Sequence, residues 1–117
     1  MMRFTSAFMF ALLVAGPTVL SQVQTPAQMA QPEFVNEHVR IRRVFHAPHR
    51  SVALHEVPPS LIVYVTAAHE RITYGDGNAK EMRFKPGEYE WWPGGRLGAE
   101  NLDETPTELL VIVPVGK

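Results

Sequence analysis

After residue 31 apolar and β-branched runs rich in Val, Ile, Tyr and Thr recur at short spacing between polar and Gly, Pro or Asp positions, and no helical period is visible. Val39-Arg-Ile41-Arg alternates apolar and charged residues, as a strand with one wet face does. Leu61-Ile-Val-Tyr-Val-Thr66 is continuously apolar and β-branched, which predicts a central strand. His69 to Tyr74 and Ala79 to Phe84 flank Gly75-Asp-Gly-Asn78, whose residues tolerate positive φ, so a hairpin is expected there. Lys85-Pro-Gly87 turns the chain into Glu88 to Trp92, Pro93-Gly-Gly95 turns it again, and Leu109-Leu-Val-Ile-Val113 closes the sheet. About eight short strands between turn residues predict an all-β jelly-roll barrel, which hides its edges by curling two sheets together.

The first residues follow a different pattern. Met1-Met-Arg3 is a short positive start, Phe8 to Ala15 is an apolar run, and Gly16-Pro17 breaks it before small residues. That order predicts a signal peptide over 1–21, cut after Ser21, with Ala30 as the alternative site. The run is shorter than the roughly 20 apolar residues that span a bilayer. Gln22 to Gln31 is polar and aperiodic, so a flexible linker over 22–31 is expected before a single domain over 32–117. The chain has no cysteine, which removes disulfides, thiolate metal sites and a lipoprotein anchor. Export without disulfides suits a bacterial periplasmic or secreted protein with no membrane anchor once the signal is removed. The formal charge is −1, and loss of Arg3 with the signal makes it −2. This balance gives no general attraction to nucleic acid.

Gly87-Glu-Tyr-Glu-Trp-Trp-Pro93-Gly-Gly95-Arg-Leu97-Gly-Ala-Glu-Asn101 resembles the second motif of the cupin superfamily. Gly87, Pro93, Gly95 and Asn101 match the residues that shape that motif. Leu97, or Gly98 with a longer gap, stands where the family has a metal-binding histidine. Against the first motif, His49 replaces a glycine and His55 matches the first histidine. Val57 replaces the second histidine, and the glutamate position falls on Leu61 or Ile62. The resemblance runs from about Asn36 to Val113 and implies a small, exported, single-domain cupin barrel with degenerate metal motifs. One of four family ligands survives. A catalytic divalent site needs about three protein donors and an open position, so no metal cofactor is expected.

The reading that follows is a non-catalytic module. It would bind a small molecule in the barrel mouth near His55, Tyr64 and Trp91, or a partner protein on the outer sheet. A homodimer through an N-terminal strand is a further expectation. The competing class is a metal-independent isomerase or epimerase, with His55 and Tyr64 or Tyr74 as acid and base. An atypical metal enzyme would need His46, His49 and His55, with Glu56, to converge. Arg40, Arg42, Arg43 and Arg50 form a basic patch that could hold an anion; pairing with Glu37 or Glu56 is the stronger expectation. Tyr89 and Trp91 share one side of a strand and Trp92 the other, while Glu88 and Glu90 are expected in solvent. Mutual contact of Val57, Leu61 and Leu97 would close the barrel interior.

Overall fold

The computed structural model describes residues 23–24 and 29–116, so the predicted signal peptide over 1–21 lies outside the described residues. Nine strands follow one another: β1 (Ala30–Val35), β2 (Val39–His46), β3 (Ser51–Val57), β4 (Ser60–Tyr64), β5 (Ala68–Tyr74), β6 (Ala79–Phe84), β7 (Tyr89–Trp92), β8 (Gly95–Asn101) and β9 (Thr107–Pro114). They form a five-stranded sheet, β1-β2-β9-β4-β7, and a four-stranded sheet, β3-β8-β5-β6. Every strand pair is antiparallel. The two sheets curl face to face as a jelly roll.

The expected hairpin is present: β5 and β6 pair from Ala68↔Phe84 to Thr73↔Ala79, and Gly77 has φ 91°. Lys85-Pro-Gly-Glu88 closes with the Glu88 amide donating to Lys85 O, and Gly87 has φ 88°. Proline followed by a positive-φ glycine is the composition of a type II turn.

Three strands are absent from the sequence reading, for separable reasons. β3 carries an irregularity between Val52 and His55 that breaks its alternation. β8 is Gly-Arg-Leu-Gly-Ala-Glu-Asn, a poor strand former, and is held extended by pairing with β3 on one side and β5 on the other. β1 begins at Ala30, inside the expected linker. Gln24 and Met29, also in that segment, are buried. The Gln24 amide donates to Ser51 O at 2.8 Å, its Nε2 donates to Phe45 O at 3.2 Å, and its Oε1 accepts from Ala47 N at 3.0 Å. A residue that satisfies three backbone groups of the barrel, two of them through its side chain, is part of the fold, so Gln24 does not belong to a free spacer.

The inner faces supply Val44, Val52, Ile62, Tyr64, Ala68 and Leu109 to one apolar cluster with Met29. Each fully buried aliphatic side chain contributes about 1.5–3 kcal/mol. Tyr64 on β4 stacks on Phe84 on β6, with centroids 3.8 Å apart, so this pair joins the two sheets. The opposite face of the five-stranded sheet is also apolar. Phe34, Ile41, Ile112, Leu61 and Trp91 stand in one register row across all five strands.

Asn101 ends β8 with no exposed surface. Its Nδ2 donates to His46 O at 2.9 Å, Thr105 O at 3.0 Å and Ala47 O at 3.3 Å, and its Oδ1 accepts from Asp103 N at 2.9 Å. Removing one partner strands buried groups at about 1–3 kcal/mol each. Asn101→Ala is therefore expected to lower unfolding free energy by about 3 kcal/mol, read from urea midpoints with unchanged m-value.

Candidate functional site

Between the sheets lies a cavity of about 130 Å³. The even-numbered residues of β2 run along it from rim to floor as Arg40, Arg42, Val44 and His46. The two arginines are exposed and the last two residues buried. β3 supplies His55, Glu56 and Val57 at the opposite rim. The walls are aliphatic, chiefly Val52, Ile62, Ile72, Leu109 and Val111.

The positions that match the family's metal ligands all reach this cavity. His55, Val57, Ile62 and Leu97 line it, and His55 is the direct cross-strand partner of Leu97. Of the two candidates for the glutamate position, Ile62 faces inward and Leu61 belongs to the outer face. Val57, Leu61 and Leu97 therefore do not close the interior together. Gly98 cannot carry a ligand, because a Cβ there would lie 3.0 Å from Val52 O and 3.3 Å from Leu54 N. One imidazole among three aliphatic side chains lacks the donors to replace a cation's hydration, so these residues do not fit a metal.

The alternative histidine set is dispersed. His49 sits on the turn after β2 and its Nε2 is 2.9 Å from Glu104. It has φ 58°, so the backbone at the family's glycine position keeps a left-handed conformation. His55 Nδ1 bonds Ala53 O at 2.9 Å; the carbonyl only accepts, so in the neutral ring Nε2 is an acceptor. His46 turns inward, its Nδ1 lying 2.8 and 3.1 Å from the two oxygens of Glu70. No three histidine or acidic side chains converge within reach of one ion among the described residues.

His46 and Glu70 form the polar floor of an otherwise apolar chamber, a pair the sequence reading missed. Glu70 is 1% exposed, and a buried carboxylate is tolerated when paired. Thr107, the cross-strand partner of His46, has a buried hydroxyl without a partner among the described residues.

The aromatic candidates divide. Tyr64 lines the cavity, and burial first, then Glu90 and Glu70, pushes its hydroxyl far above the usual phenol value. Glu90 does not stand free in solvent as expected. Its Oε2 lies 3.5 Å from the Tyr64 hydroxyl, and burial raises its carboxyl above the ordinary range. Trp91 points away from the cavity and is 55% exposed. The strand pleat puts its neighbour Trp92 inside, where Nε1 donates to Val57 O at 3.0 Å. Tyr74 is beside Trp92, with ring centroids 6.2 Å apart, and does not line the chamber.

No protein-family model matches the sequence, and no curated protein matches it. Solved structures do. A cupin domain from Bordetella pertussis Tohama I superposes with a TM-score of 0.69 at 16% identity, covering 75% of this chain and 93% of its own. The chain has the cupin fold. An RmlC-like cupin family protein with a double-stranded β-helix fold, from Methanocaldococcus jannaschii, gives a TM-score of 0.59 at 16% identity over 79% and 85% of the chains. The polyketide cyclase RemF from Streptomyces resistomycificus gives 0.53 at 20% identity, over 69% of this chain and 57% of its own. The cupin fold thus carries enzymes as well as proteins described only by their domain.

The rim geometry can be tested by restoring donors. In Val57→His/Leu97→His, three imidazoles stand on neighbouring positions of one inner face. Calorimetric titration is expected to show stoichiometric Ni²⁺ or Zn²⁺ binding by this variant and none by the parent. Tight binding by the parent, lost in His55→Ala, would contradict the donor argument.

Proposed function

We propose that this chain is an exported binding module that takes a small, largely apolar molecule into its barrel and uses no metal. The observation that carries this is the cavity itself: about 130 Å³ of space walled by aliphatic side chains at positions where the family holds a metal. An engineered apolar cavity of about 150 Å³ receives benzene, so a chamber of this size suits a body of about four or five carbons.

Leu97→Trp, which fills the rim, is expected to abolish heat of binding for branched five-carbon alcohols in calorimetry. Trp91→Ala, on the outer face, should leave it unchanged. Binding that survives Leu97→Trp, or is lost in Trp91→Ala, would place the ligand elsewhere.

His46 held by buried Glu70 supports a second reading, a metal-independent isomerase or epimerase. A carboxylate that fixes one ring nitrogen orients the other for proton transfer. The readout is exchange of an α-hydrogen of small hydroxy acids or sugars in deuterated water. Exchange by the parent that stops in Glu70→Gln, which keeps a hydrogen bond to His46, establishes the enzyme. Exchange by neither retires it.

A further inference from the structure

We infer that the cavity's ligand is a small monocarboxylate, its branched alkyl body among the aliphatic walls and its carboxylate between Arg40 and Arg42. This rests on the binding role proposed above and adds the charge of the ligand.

Strand parity decides which arginines matter. Arg40 and Arg42 share the inward face of β2 with Val44 and His46, and both reach the cavity rim. Arg43, on the other face, is taken up by ion pairs to Glu33 at 2.9 Å and to Glu108. Arg50 is not among the lining residues. The pairing expected to neutralise the inward arginines does not form. Glu37 lies against its neighbour His38, and neither Arg40 nor Arg42 makes an ion pair among the described residues.

The other charged and titratable groups around the cavity are few. Among the described residues Glu56 is the one acidic side chain at the rim, so two guanidiniums there face one carboxylate. Neutral His55 presents an acceptor, not a donor. Glu70 at the floor is occupied by His46. An anion is favoured at the rim, because two planar forks supply donors matched to carboxylate oxygens. A dianion or a sugar would leave polar groups unmatched against the aliphatic walls, at a cost for each group buried without a partner. One charge at the rim and an alkyl body inside satisfy both halves of the chamber.

The test compares isovalerate, isoamyl alcohol and isoamylamine in calorimetric titrations of the purified protein, with Arg40→Gln/Arg42→Gln as the variant. Both arginines are exposed, and an unchanged melting temperature confirms that the variant folds. Isovalerate is expected to bind at least about 10-fold tighter than the alcohol, with the advantage shrinking as salt rises. The double variant should weaken isovalerate by about 10–100-fold, the range for charge-assisted hydrogen bonds, and leave the alcohol unchanged. Equal affinity for acid and alcohol, indifferent to the double variant, overturns the carboxylate assignment and leaves the binding role standing. Preference for the amine overturns the assignment in the same way. No binding of any of the three overturns both.

Discussion

The carboxamide of Asn101 holds together segments that sequence distance keeps apart. It ends β8, accepts the Asp103 amide, and donates to carbonyls at both the β2 terminus and the loop before β9. Its own backbone N–H donates to Arg50 O at 2.9 Å. Because one of those carbonyls is that of His46, the same group that closes the barrel end sets where the His46 ring enters the interior. Gln24 fastens the adjacent backbone at Phe45 and Ala47 from the other side. The floor of the chamber is thus positioned by two buried amides, each with both ends satisfied.

Above that floor the chamber is walled by aliphatic side chains. Val57, Ile62 and Leu97 offer a cation no donor and add apolar surface. They do not fill the space. A jelly roll with this interior is a container with a greasy wall, a polar base and a rim whose charge is set by arginine. Metal-free chemistry and simple binding differ here in what the His46–Glu70 pair does with a proton. The fold shared with proteins such as RemF is compatible with either.

Much of the architecture was legible in residue order. Turns at Gly75–Asn78 and Lys85–Gly87 follow from backbone chemistry, and Leu61 to Tyr64 is a central strand because nothing polar interrupts it. The Gly87, Pro93, Gly95 and Asn101 spacing pointed to the fold that superposition shows. The site was less legible. His46 and Glu70 are 24 residues apart, and no local pattern joins them. Only the parity of Arg40, Arg42, Val44 and His46 on β2 marks His46 as inward. Trp91 and Trp92 are adjacent and chemically alike, so their assignment depends on pleat alone, which Glu90 follows as well. β8 escaped because pairing on both sides overrides its weak propensity.

That pleat has a consequence for how the chain tolerates length changes. Between Pro93 and Asn101, Leu97 and Ala99 look inward, while Arg96 and Glu100 alternate with them. Removing Glu100 while Asn101 stays anchored would shift the residues before it by one position and invert that stretch of β8. Arg96 would then enter the oily compartment in place of Leu97, and Gly98 in place of Ala99. Point substitutions can retune the hollow gradually, whereas an indel here would exchange its solvent character in one step.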